Sequence, residues 1–194
     1  MLYSVELRSH FPVWECKDRK QNCIFAKILR FFLTAFVMNI EIWSLGKEND
    51  SFINEGINLY FQKTKPWNPV ELVVLQVPKK MQTTDVARTK QQEEELILKR
   101  LQPGHYLVLL DERGKMLSSP QWAQQFQQCM NQGVKTLVIL IGGAFGVTDA
   151  VRSRANQCWS LSNLVFPHQL VRLITAEQVY RAFSILNNSP YHHI

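Results

Sequence analysis

Thr136-Leu137-Val138-Ile139-Leu140-Ile141, followed at once by Gly142-Gly143-Ala144-Phe145-Gly146, decides the fold. Six residues without polar alternation make a strand that a sheet covers on both faces, which is the mark of a parallel sheet. The glycines behind it open a loop where a Cβ would block close approach and where positive φ is allowed. Ligands of parallel α/β sheets sit at the carboxyl ends of strands, so this turn is the first candidate for the chemistry.

Working back from it, Gly133 ends a helix that opens at Ser118-Ser119-Pro120, an N-cap with proline in the first turn, and runs to about Asn131. Tyr106-Leu107-Val108-Leu109-Leu110-Asp111 is a second buried strand, and Asp111-Glu112-Arg113-Gly114-Lys115 follows it where α/β proteins place ligand contacts, a polar turn being the alternative. Thr83 to Leu101 is a charged helix with Lys90/Glu94 and Glu95/Lys99 at i,i+4. Val70 to Val77 is a strand stopped by Pro78, Ser51 to Lys63 a helix broken by Pro66 and Pro69, and Asn39 to Gly46 the first strand. Strand–helix units of about 30 residues argue for an open, mostly parallel α/β sheet.

Working forward, Trp159-Ser160-Leu161-Ser162-Asn163-Leu164-Val165-Phe166 is a short extended run ending at Pro167-His168. Gln169 to Asn188 then reads as a helix that is apolar nearly all round, and such a helix is buried in its domain or against a partner. Inside it Arg172, Glu177 and Arg181 need partners, and Glu177/Arg181 have the favourable i,i+4 order. Pro190 should end the pattern and send Tyr191-His192-His193 away in an extended strand.

Residues 1–37 do not match the rest. Arg8, Lys17, Arg19, Lys20, Lys27 and Arg30 outnumber Glu6, Glu15 and Asp18, which supplies half of the net charge of +6. The apolar stretch 24–37 is too short and too charged to span a membrane. The expected division is an N-terminal extension, 1–37, upstream of a natural start at Met38, and one domain, 38–194. A membrane-lying appendage is the alternative for the first part.

The chemistry is bounded by what is missing. The glycine turn lacks the GxGxxG register of a dinucleotide fold and the Gly-Lys-Ser/Thr of a P-loop. Cys16, Cys23, Cys129 and Cys158 form no CxxC pair and no zinc spacing, so free thiols and no metal are expected. The positive net charge has the right sign for a nucleic acid, though a solvated basic surface explains it as well.

Five motifs taken together resemble one family: Leu109-Leu110-Asp111-Glu112-Arg113-Gly114-Lys115, Ile141-Gly142-Gly143, Leu161-Ser162 leading to Pro167-His168 and Leu170-Val171-Arg172, Glu177-Gln178 with Tyr180-Arg181-Ala182, and Pro190-Tyr191-His192. In order and at compatible spacing, they are similar to the large-subunit ribosomal RNA pseudouridine N3-methyltransferases, the RlmH group of the SPOUT class. The resemblance runs from Met38 to Ile194. It implies a parallel α/β sheet with a deep C-terminal trefoil knot, an exception to the rule against threaded chains. It also implies a cytoplasmic homodimer that uses S-adenosyl-L-methionine to methylate N3 of a pseudouridine in 23S ribosomal RNA of the assembled ribosome, with no stable membrane association.

By motif match, Leu110, Gly142, Leu161, Ser162, Asn163, Leu164, Val165 and Phe166 would line the cofactor pocket. His168, Glu177, Arg181, Tyr191 and His192 are the catalytic candidates, because the N3 proton must leave and a base or a cation beside the N3 anion helps. Arg172 and Arg181 are candidates to hold phosphate or ring carbonyls, and Tyr191 to stack on an unpaired base. The turn continues Ala144-Phe145 where the family usually has a proline after the second glycine. That departure motivates the competing reading, a knotted RNA-binding or ribosome-assembly factor without catalysis.

Overall fold

The computed structural model describes residues 38–47, 49–77 and 85–192. The stretch 24–37, the start at Met38 as a question of where the natural chain begins, Pro78, Thr83 and His193 lie outside the described residues or cannot be read from them.

The order is β1 (Asn39–Leu45), α1 (Ser51–Thr64), β2 (Val70–Leu75), α2 (Val86–Arg100), β3 (His105–Met116), α3 (Ser119–Asn131), β4 (Thr136–Ile141), α4 (Asp149–Arg154), β5 (Gln157–Ser160) and α5 (His168–Leu186). The five strands pair in parallel, in the order β2-β1-β4-β3-β5. The uninterrupted apolar runs have their reason in the two layers of helices. Ile40, Ile42, Val108, Leu110, Leu137, Ile139 and Ile141 pack on one face with Ile57, Trp122, Phe126 and Phe183 from α1, α3 and α5. Trp43, Leu45, Leu107, Leu109, Val138 and Leu140 pack on the other with Ile97 of α2 and Val151 of α4. Successive side chains point to opposite faces of a strand, so both sets must be apolar.

The caps follow the expected chemistry. Ser118 and Gln121 close a reciprocal capping box at α3: the Ser118 amide donates to Gln121 Oε1 at 2.8 Å, and the Gln121 amide to Ser118 Oγ at 3.4 Å. Asp85 caps α2 by accepting from the Ala87 amide at 2.9 Å. The Lys90/Glu94 and Glu95/Lys99 spacings do not close into ion pairs, whereas Arg152–Asp111 and Arg181–Glu177 do.

Two expectations change and one helix is added. β3 does not stop at Asp111 but continues to Met116, pairing with β5 at Leu110 and again at Lys115 around a bulge, so Asp111–Gly114 bow out of the strand. Gly114 allows this because a Cβ there would run into the backbone of Trp159. The short helix α4, capped by Thr148, has no apolar periodicity long enough to read from sequence. Finally, α5 ends at Leu186, and Asn188 takes a left-handed φ of 52°. The Ser189 amide bonds back to Ser184 O at 2.8 Å, so the tail turns back on its own helix and does not leave extended.

Candidate active site

The carboxyl ends of β3, β4 and β5 face a common space. The β3 bulge, the glycine turn after β4 and the loop from β5 to α5 enclose a cavity of about 530 Å³. Of the residues expected to line a cofactor pocket, Leu110, Gly142, Leu161, Ser162, Leu164, Val165 and Phe166 line this cavity. Asn163 does not: it is exposed and outside the lining, because its neighbour Ser162 turns the loop by accepting from the Leu164 amide at 2.9 Å. The glycine turn is closed by the Gly146 amide donating to Gly143 O at 2.9 Å, and Gly146 has a φ of 75°. A Cβ on Gly142 would press on Val147 Cγ1 at 3.2 Å, so glycine keeps this wall thin.

The bulge carries the residues that the sequence reading weighed as ligand contacts against a polar turn. Asp111 accepts from Arg152 Nη2 at 2.7 Å and from the Arg113 amide at 3.0 Å, and all three residues line the cavity. Burial works to raise the Asp111 pKa, but the Arg152 hydrogen bond, the Arg113 amide and both guanidinium charges outweigh it and hold the carboxyl below its ordinary value. Arg152 was not legible because it sits on α4, brought to Asp111 only by the fold. With a folded pKa lowered below the unfolded one, the pair stabilises the protein above about pH 4, and that stability is lost as pH falls through the lowered value. Asp111→Asn should therefore reduce stability at neutral pH and flatten its acid limb, read by urea unfolding from pH 7 to 3. An unchanged acid limb would show the pair to be idle.

The five catalytic candidates fall into two groups. His168 starts α5 at the cavity wall, half-buried, with its Nδ1 sealed from solvent and without a hydrogen-bond partner. Burial, then the Arg172 charge, lowers its pKa, so the neutral imidazole prevails at neutral pH. Glu177, Arg181, Tyr191 and His192 form the second group, nine residues or about 13 Å farther along α5. Glu177 Oε1 accepts from Arg181 Nη2 at 2.5 Å and Nε at 2.9 Å, and from Tyr191 Oη at 3.0 Å. Arg181 Nη1 lies 3.4 Å from His192 Nδ1, and its guanidinium sits 4.7 Å from the Tyr191 ring centroid. Burial first, then hydrogen bonding with Tyr60 and Glu177, raises the Tyr191 pKa and keeps the phenol protonated.

Arg172 corrects another expectation. It is 1% exposed and is not part of the cavity lining. Its guanidinium donates to Ser44 Oγ (2.7 Å), Lys47 O (2.8 Å), Asn49 Oδ1 (2.6 Å) and Leu45 O (3.0 Å), tying α5 to the end of β1. Nearby, Gln169 Oε1 accepts from the Asp50 amide at 2.8 Å and fixes the start of α5 against α1.

A parallel sheet with a loop-built cavity at its carboxyl ends, entered by the N-terminus of the last helix, is the frame in which α/β proteins hold ligands. A family model described as "Predicted SPOUT methyltransferase" matches residues 38–192, and the chain belongs to that family. Its relatives are narrower in kind. A protein of Parabacteroides distasonis named "Ribosomal RNA large subunit methyltransferase H" is 43% identical over 156 residues, covering 80% of this chain and 99% of its own. A protein of the same name from Cytophaga hutchinsonii is 40% identical over 157 residues, covering 80% of this chain and 100% of its own. Among solved structures, "a probable methylase family protein" from Haemophilus influenzae is 14% identical at a TM-score of 0.47, covering 78% of this chain and 67% of its own.

Proposed function

We propose that residues 38–194 form an S-adenosyl-L-methionine-dependent methyltransferase acting on large-subunit ribosomal RNA, at N3 of a pseudouridine. The observation that carries this is the cavity: three separate loops converge on it, and seven of the eight expected cofactor residues line it. Its volume lies within the range of ordinary ligand pockets. The lining also suits the cofactor, with the Leu110, Leu161 and Phe166 side chains beside charged residues of the β3 bulge and a glycine wall. Leu110, Gly142 and the loop from Leu161 to Phe166 would hold it, and when bound it supplies an electrophilic methyl on a sulfonium. The C-terminal knot belongs to the same reading.

The chain's own residues must orient the base, exclude water and handle one proton. His168 is the neutral nitrogen base at the cavity wall. Glu177, Arg181 and Tyr191 form a fixed cluster of charge and ring too far along α5 to share His168's cavity within one protomer. We therefore infer a homodimer in which one protomer's tail cluster completes the site of the other. The apolar surface around the cavity mouth supports it: Val165 is 90% exposed, Leu164 71% and Phe145 52%. No helix of the described residues is long and apolar enough to cross a membrane.

Calorimetry with S-adenosyl-L-methionine and mass mapping of treated ribosomes test the reading. Binding at submillimolar ligand and one added methyl on a large-subunit pseudouridine are expected. Absence of both would leave the RNA-binding factor as the better account. Light scattering at micromolar concentration should give twice the mass of the chain, and a monomer would overturn the shared site.

A further inference from the structure

Glu93 stands behind the glycine turn with no role in the site so far described. It projects from α2 against Gly143, where a Cβ would lie 2.7 Å from Glu93 Oε1 and closer still to Oε2. Oε2 is sealed from solvent and has no hydrogen-bond partner. Burial raises its pKa, and the charge of Lys90, one turn earlier on α2 and itself at the cavity, works the other way.

The other carboxylates around the cavity are placed differently. Asp111 is neutralised by Arg152, while Glu112 and Asp149 are exposed, where solvent screens them. Glu93 is thus the half-buried carboxylate whose field reaches the cavity through one thin wall of glycine backbone. A partly buried charge with one oxygen sealed and unpaired is costly, and a cation placed across that wall offsets part of the cost.

Methyl transfer changes the charge of the cofactor. The donor is a sulfonium cation, and after the S–CH3 bond breaks, its electron pair stays on sulfur and leaves a neutral thioether. A carboxylate behind the turn therefore favours the loaded cofactor over the spent one, without touching either. We infer that Glu93 is a specificity-determining residue of the cavity, acting through the Gly143 backbone to favour a cationic sulfonium over the neutral thioether product. Gly143 is then glycine for a second reason: any side chain there would push the carboxylate away from the wall.

This inference rests on the cofactor reading above, and its test separates the two. Calorimetry on the full chain at one pH compares S-adenosyl-L-methionine, S-adenosylhomocysteine and sinefungin, which carries an amine cation in place of the sulfonium. Glu93→Gln keeps the shape and removes the charge. It should weaken S-adenosyl-L-methionine and sinefungin by about tenfold and leave S-adenosylhomocysteine within about twofold, since only a charge-dependent contact separates them. Equal weakening of all three would make Glu93 a structural brace of the turn and overturn the inference. So would no change in any of them, with thermal unfolding confirming a folded variant. A wild-type protein that binds none of the three overturns the cofactor reading and this inference together.

Discussion

Truncation before Tyr191 is expected to leave a protein that folds, pairs and binds S-adenosyl-L-methionine, yet methylates ribosomes at least about tenfold more slowly. The tail removes Tyr191 and His192 from the Glu177–Arg181 cluster but leaves that ion pair itself in place. Tyr191 packs 4.6 Å from the Tyr180 ring, so a small loss of stability accompanies the truncation. On the proposed reading the lost rate is that of the Tyr191 hydroxyl and the His192 imidazole near the reacting base, one positioned acid–base group being worth about 10²–10⁴ in rate. A truncated protein that binds cofactor and works at the full rate would reduce the tail to a folded-back end. Tyr191→Phe separates ring from hydroxyl: it keeps the packing on Tyr180 and loses the hydroxyl's bonds to Glu177 and Tyr60.

The largest effect on stability is expected at Arg172. Arg172→Met keeps most of the apolar stem but withdraws donors from Ser44, Leu45, Lys47 and Asn49 at once. Buried carbonyls left without donors, and the end of β1 released from α5, should cost about 3–5 kcal/mol, read as a lower midpoint in urea. Arg172→Lys should recover only part of it, because one ammonium cannot reproduce a planar fork reaching four oxygens. A loss below about 1 kcal/mol for the methionine variant would show that water or rearrangement supplies the missing donors.

The sheet and most of its helices were legible because each announces itself locally. Uninterrupted apolar runs gave β3 and β4, and Ser118-Ser119-Pro120 gave the start of α3 to the residue. The glycine turn was legible from its own residues, whereas the part of Leu161 to Phe166 in the cavity was legible only through the resemblance, since that run has no periodic pattern. Three things stayed hidden for physical reasons. The β3 bulge depends on Gly114 lying against the Trp159 backbone, a contact 45 positions away in sequence that no local signal encodes. Arg152 and Asp111 meet only once β5 has brought α4 alongside. Arg172 looked like a ligand-binding cation because a buried arginine and an exposed one are written with the same letter; its partners on β1 are what decide.

The all-parallel strand order carries a consequence for the chain's birth. β1 lies inside the sheet, between β2 and β4, and β4 is made about 100 residues after it, some 5–20 s later at ordinary translation speeds. Through that interval β1, α1 and β2 stand outside the exit tunnel with Ile40, Ile42 and Trp43 lacking half of their cover. A nascent chain halted before Thr136 should therefore engage a chaperone that one released past Leu186 does not need. The order in which the sheet is synthesised, not the strength of its finished core, sets the moment at which this protein is most open to aggregation.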